Sequence, residues 1–185
     1  MKVKLKKCAV CKAKFQPFNS LTKVCSPKCA LELVSQNKKK KARKDKLEYR
    51  KENKKISEWI AEAQVSINTY VRLRDIDNPC ISCDKPANQD PNEWDAGHYR
   101  SRGSAPHLRF NLDNNHKQCK HCNRYLSGNI VEYRPRLIKR IGLEKVEAIE
   151  TNNAYKKFDR VYCERVKRIF NKKARILKKR HDSRN

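Results

Sequence analysis

The sequence predicts a mostly helical α+β chain. A small zinc-clamped core is flanked by long basic helices, with a treble-clef-like zinc finger at the N-terminus. Three observations carry that prediction. Eight of the nine cysteines fall into two quartets of close pairs, each quartet enough for one closed tetrahedral zinc site. From Lys28 to Asn78 there is neither Pro nor Gly, so nothing local stops a helix. Hydrophobic residues make up 37% and charged residues 36% of 185, too little apolar material for one large core.

In chain order, residues 1–35 hold Cys8-Ala-Val-Cys11, thirteen residues, then Cys25-Ser-Pro-Lys-Cys29. The first pair reads as a zinc knuckle. In the second, Ser26 suits a helix cap and Pro27 its first turn, which places Cys29 on a helix start. Residues 36–55 form a basic spacer: 37–55 carry eleven Lys/Arg against three acidic residues, either a solvated helix or a linker that folds on a polyanion. In 56–78, Ile56, Trp59, Ile60, Ala63, Ile67, Tyr70 and Val71 recur at three- and four-residue steps, an amphipathic helix to about Asp75. Its apolar face needs a partner, the chain's own core or a second subunit.

Residues 79–132 hold Cys80/Cys83 and Cys119/Cys122 with Trp94-Asp-Ala-Gly-His-Tyr99 between them and Asn123 directly after. The zinc can clamp a strand carrying Asp95 and His98 against a short helix carrying Asn123. Residues 133–185 read as a basic helical region. A short helix over Tyr133–Ile141 has Pro135 in its first turn, another spans 143–149, and a longer one runs from Asp159 to Lys179. That last helix places Val161, Val166, Phe170 and Leu177 on one side; ten Lys/Arg and one Glu lie in 160–180. The leftover Cys163 reads as a partly buried small apolar residue.

The charge balance points to a partner. Lys and Arg number 46 against 20 acidic residues, a net +26, and an excess this large calls for a polyanion, nucleic acid before an anionic membrane surface. No apolar run approaches the ~18 residues of a transmembrane helix. Nine cysteines in spaced pairs then point to metal in a reducing cytoplasm rather than to disulfides.

The central residues suit phosphodiester hydrolysis. Attack by water needs a base near neutrality, for which His98 is the candidate. A divalent cation must meet the charge on the phosphoryl oxygens, and Asp95 and Asn123 offer hard oxygen ligands for Mg²⁺ or Mn²⁺. Arg100, Arg102, Arg109, Lys117 and Arg124 are candidate DNA contacts.

These residues carry a resemblance. Cys-x-x-Cys, then Asp and His, then Asn-x-x-x-x-Cys-x-x-Cys-Asn resembles the zinc-bound HNH, or ββα-metal, nucleases, the endonuclease VII type most closely. More specifically, Asp95-Ala-Gly-His98-Tyr, Leu108-Arg-Phe-Asn111, Asn114, His116-Lys-Gln-Cys119, Cys122-Asn123 and Ser127-Gly-Asn129 look like the phage lambda NinG (Rap) family. The resemblance implies structure-selective cleavage of branched DNA, including four-way junctions, in phage recombination inside a bacterial host, with 5′-phosphate and 3′-hydroxyl products. It implies His98 as general base, Asn123 as metal ligand on the helix, and Asn114 holding the loop by hydrogen bonds. Endonuclease VII-like sequences place the ligand Asp directly before the His, where this chain has Gly97. Asp95 lies on the same side of an extended strand as Gly97 and is either the metal ligand or a residue that orients a His or holds the turn. His116 reads as a partner of the base, a phosphate contact, a further ligand or a satisfied structural His; His107 and His121 as exposed or phosphate-facing; His181 as part of the tail. Resolving a junction takes two coordinated cuts, so a homodimer is expected, through the helix near Trp59 and Tyr70. Phage or host recombination proteins are further expected partners. The runner-up readings are a non-catalytic zinc-dependent nucleic-acid-binding protein and an HNH nickase without junction preference.

Overall fold

Each Cys-x-x-Cys knuckle closes by the same local turn. In the first, the Lys12 amide bonds the Cys8 carbonyl at 3.1 Å and the Cys8 amide bonds the Ala13 carbonyl at 2.8 Å. In the second, Asp84 bonds Cys80 at 3.2 Å and Cys80 bonds Lys85 at 2.9 Å. Both turns place the residue after the second Cys at positive φ, 64° for Lys12 and 54° for Asp84, which aims two sulfurs at one point. A computed structural model describes residues 5–88 and 90–183, which divide into two compact units, Met1–Lys54 and Lys55–Asn185.

In the first unit, β1 (Lys6–Lys7) and β2 (Lys14–Phe15) pair antiparallel around the knuckle. Helix α1 (Pro27–Glu52) follows. Ser26 caps it, its hydroxyl accepting from the Cys29 amide at 3.3 Å, and Pro27 opens the first turn as expected. The expected boundary at 35/36 falls inside this helix. None of its residues is buried, so it is a solvated helix, the first of the two forms expected for the spacer. It stops without Pro or Gly: the Asn53 side chain bonds the Tyr49 carbonyl at 2.8 Å, and the Lys55 amide is taken by Glu58 at 2.8 Å as the next helix begins.

The second unit is built on α2 (Ile56–Arg74). Its stripe Trp59, Ala63, Ile67, Val71 is buried and packs on α5 (Arg160–Asp182) through Cys163, Val166 and Phe170. Tyr70 lies 5.1 Å from Phe170 between ring centroids. The face expected to join a second subunit is therefore covered by the chain's own C-terminal helix. Val161, expected on the inner side of α5, is 72% exposed; Cys163 takes its place and is buried. α3 (Ile130–Ile141) starts three residues earlier than expected, which puts Pro135 inside the helix, and α4 (Leu143–Thr151) follows from Gly142. A second apolar cluster joins Tyr133, Leu137, Val146 and Ile149 to Ile81, Tyr99 and Leu108.

Strands β3 (Trp94–His98) and β4 (Asn115–Cys119) pair antiparallel, with Asp95 opposite Gln118, Gly97 opposite His116 and His98 opposite Asn115. A single π-type turn, His121–Tyr125, follows β4 and carries Cys122 and Asn123. The chain is thus mostly helical α+β, with two small two-stranded sheets among the described residues. Among the described residues, no helix is long and apolar enough to cross a membrane.

Candidate active site

The sulfurs of Cys80, Cys83, Cys119 and Cys122 all lie within 4.8 Å of one another, and those of Cys8, Cys11, Cys25 and Cys29 do the same. Zn–S bonds of ~2.3 Å at tetrahedral angles require sulfurs ~3.8 Å apart. Cys83–Cys119 at 3.7 Å, Cys11–Cys25 at 3.5 Å and Cys25–Cys29 at 3.7 Å fit that ion. In the central cluster, backbone amides also point at sulfur, Cys119 and Ser82 onto Cys80 at 3.3 and 3.4 Å, as a thiolate requires. Both quartets can hold zinc, and four sulfurs leave such an ion no open position.

The central cluster joins β4, its following turn and the Cys80 knuckle, and so fixes the wall of a cleft of about 460 Å³. Asp95 and His98 reach it from β3, Asn123 and Arg124 from the π-type turn, Arg102 from the loop after β3, and Asn68 and Arg72 from α2. The three residues expected at the centre thus share one cavity.

His98 presents Nε2 to the Arg109 carbonyl at 3.1 Å. A carbonyl only accepts, so Nε2 carries the proton and Nδ1 keeps the basic lone pair. Burial, with the Arg102 and Arg109 charges behind it, pushes the His98 pKa down to about 4 against the opposing pull of that carbonyl. The imidazole is neutral at pH 7.

Asp95 accepts from Arg124 Nε at 2.7 Å and Nη2 at 3.0 Å, and from Asn123 Nδ2 at 3.0 Å. Burial works against its ionisation, but the Arg124 fork and the Asn123 amide prevail and hold the carboxyl below its usual range. Asn123 thus turns its amide nitrogen, and not its carbonyl oxygen, toward the Asp95 carboxylate. The Arg124 guanidinium already occupies both oxygens of that carboxylate, so Arg124, expected as a DNA contact, is its ion-pair partner instead.

Gly97 directly precedes His98 on β3 and packs against the opposite strand. A Cβ there would lie 2.0 Å from Gln118 Oε1 and 2.9 Å from its Cδ. Gln118 is fully buried and donates to the Ser82 hydroxyl at 2.6 Å and the Gly128 carbonyl at 2.5 Å, so it has no room to move. No side chain fits at this position, and Asp95, two residues earlier, is the carboxylate on that side of β3.

Asn114 is fully buried and clasps the loop after β3: its Oδ1 accepts from the Arg100 amide at 2.8 Å and its Nδ2 donates to the Arg100 carbonyl at 3.0 Å. His116 is not in the cleft. It is buried beneath β3, Nδ1 3.2 Å from the Tyr133 hydroxyl, and burial and Arg74 push its pKa down to about 3 against the pull of Asp75. Of its four expected roles, this geometry is that of the satisfied structural His.

Two further expected DNA contacts are corrected. Lys117 is 2% exposed, its ammonium 2.7 Å from the Ile76 carbonyl and 4.3 Å from the Trp94 ring centroid, so it reaches no ligand. Arg100 spends its guanidinium on the carbonyls of Ile149, Glu150 and Asn152 at 3.0, 3.1 and 2.6 Å. Arg102 and Arg109 are different: neither guanidinium has a hydrogen-bond or ion-pair partner among the described residues. His107 bonds the Asn152 carbonyl at 2.9 Å, His121 is exposed, and His181 bonds the Leu73 carbonyl at 3.2 Å. Sequence reasoning missed Asn68 and Arg72; their one signal is i, i+4 spacing of two polar residues beside the apolar stripe of α2. It also missed Arg74 and Asp75, whose fork (2.8 and 2.7 Å) ties the end of α2 to the Lys117 amide at 3.1 Å.

A family model described as "Bacteriophage Lambda NinG protein" matches residues 1–181. The chain belongs to the NinG family. Protein ninG of Escherichia phage lambda is 40% identical over 186 residues, covering 91% of this chain and 90% of that protein. Protein ninG of Escherichia phage 933W is 38% identical, covering 94% of each. Protein ninG of Salmonella phage P22 is 39% identical over 91% of this chain and 90% of its own length. No solved structure matches. NinG membership covers both cysteine quartets and the whole cleft described above.

Proposed function

We propose that this NinG-family chain is a metal-dependent endonuclease of the HNH, or ββα-metal, type that cuts branched DNA such as four-way junctions in phage recombination. The observation that carries the reading is that His98, Asp95 and Asn123 line one cleft whose wall a thiolate cluster holds. His98 Nδ1 takes the proton of the attacking water, and its Nε2–H, anchored on the Arg109 carbonyl, fixes the ring for that task. Arg102 and Arg109, unspent on protein partners, meet the phosphate oxygens. Asp95 and Asn123 are the residues to hold Mg²⁺ or Mn²⁺, which would offset charge on the phosphoryl and leaving oxygens. The zinc ions only build. Two coordinated cuts call for a symmetric dimer on the junction, formed by a surface other than the α2 stripe.

One observation favours a second reading. The Arg124 fork on Asp95 neutralises the carboxylate a metal would need, as suits a non-catalytic zinc-dependent DNA-binding protein. The deciding experiment incubates the full chain with four-way junction, flap and linear duplex in Mg²⁺ and in Mn²⁺, beside His98→Ala and Asn123→Ala. Cutting of the junction before the linear duplex, lost in both variants, supports the endonuclease. Equal cutting of all three points to a nickase without junction preference. Binding without cutting in either metal supports the binding protein.

A further inference from the structure

The segment that anchors His98 also lines a second cavity, of about 380 Å³, within the ~300–1,000 Å³ range of small-molecule sites. Its inner wall is aromatic. Phe110 and Tyr162 lie 6.2 Å apart at 29°, and Phe158 braces both from 4.9 and 5.4 Å. At its mouth stands Tyr155, 90% exposed, an aromatic face left in water. The Lys156 side chain lines the same cavity, its ammonium 3.1 Å from the Tyr162 hydroxyl and 4.5 Å from that ring's centroid. Asn111 and Asn152 line the same cavity, and their Nδ2 amides hold no hydrogen bond among the described residues.

The loop that carries Tyr155 is held in place. His107 and Arg100 both donate to the Asn152 carbonyl, at 2.9 and 2.6 Å, and Arg100 reaches Asn153 Oδ1 at 3.1 Å. Arg100 therefore builds this pocket instead of touching a phosphate, and its cost in ordering is met before any ligand arrives.

We propose that this pocket binds one unpaired nucleobase of a DNA strand. A planar ring to stack, two amide donors for base-edge acceptors and an ammonium for the adjoining phosphate are the three parts such a ligand requires. A paired base cannot enter, because its faces are covered by its neighbours in the duplex. Arg109 lies between His107 and Phe110, so a base held here brings its backbone to the segment whose carbonyl meets His98. The proposal rests on the DNA-binding part of the reading above and gives it a way to favour sites where pairing is broken.

The test uses the full, zinc-loaded chain without added magnesium or manganese, so that only binding is read. Fluorescence anisotropy compares a labelled single strand, the same strand with a run of abasic sites, and its blunt duplex. Wild type binds the base-bearing strand about tenfold more tightly than the abasic one, the effect of one stacked base. Tyr155→Ala, at an exposed position that folding does not need, loses that preference and keeps duplex affinity to within about twofold, while Tyr155→Phe retains both. A preference unchanged in Tyr155→Ala, or an equal loss on strand and duplex, overturns the proposal, as does a wild type that binds the abasic strand equally well. A chain that shows the preference yet cuts no junction contradicts the endonuclease and leaves the pocket; one that cuts without the preference contradicts the pocket alone.

Discussion

An imidazole serves as a base only while it is neutral, and both histidines of the β3–β4 hairpin are kept neutral by burial first and by nearby arginine charge second. His98 borders the cleft, with two arginines near it; His116 is sealed under the hairpin at 3% exposure. The folded His116 value of about 3 lies below its ordinary 6.5, so between these the unfolded chain binds the extra proton. Its contribution to stability is complete above about pH 6.5 and is lost as pH falls toward the folded value. The urea midpoint of the wild type should therefore drop more steeply between about pH 7 and pH 5 than that of His116→Gln, and parallel slopes would contradict the assignment. Gly97 makes a second test. Gly97→Ala drives a methyl into the buried Gln118 and its bonds to Ser82 and Gly128, and should cost about 3 kcal/mol in urea unfolding. A loss near zero would mean Gln118 is not fixed. The sequence shows a glycine where the endonuclease VII resemblance would place an Asp; it cannot show that a side chain would clash there, because the obstacle comes from the opposite strand.

At the scale of elements, local chemistry was legible and pairing was not. The α2 stripe, the Ser26-Pro27 start of α1 and both cysteine quartets follow from spacing alone. Which face meets which partner follows from the path of the chain, and so α5, dominated by its Lys and Arg, concealed that it is the cover of α2. Lys117 and Arg100 were read from charge, which says nothing of depth; the one is buried and the other spent on carbonyls. The α1–α2 break, made by Asn53 and Glu58 side chains, separates two units that each hold one cysteine quartet. A chain beginning at Lys55 should then bind one zinc where the full chain binds two, by metal analysis, and unfold in one cooperative step. A truncated chain without zinc, or without a sharp transition, would refute the independence of the second unit.

Over the whole molecule the net +26 acts on any polyanion regardless of its structure. If the chain neutralises six or more phosphates, junction affinity should fall at least about a thousandfold between ~50 and ~200 mM salt. A flat response would leave the charge without a ligand. Charge explains attraction only; the proposed chemistry belongs to the cleft beside the Cys80–Cys122 cluster, with His98 and Asn123 as its proposed residues. Single-turnover cleavage of a four-way junction in Mg²⁺ by wild type and His98→Ala, with binding measured alongside, decides whether that proposal holds. Loss of a general base should slow cutting by about a hundredfold or more while junction affinity stays the same. A wild type that binds the junction and never cuts it, or a His98→Ala chain that cuts at the wild-type rate, would contradict the account.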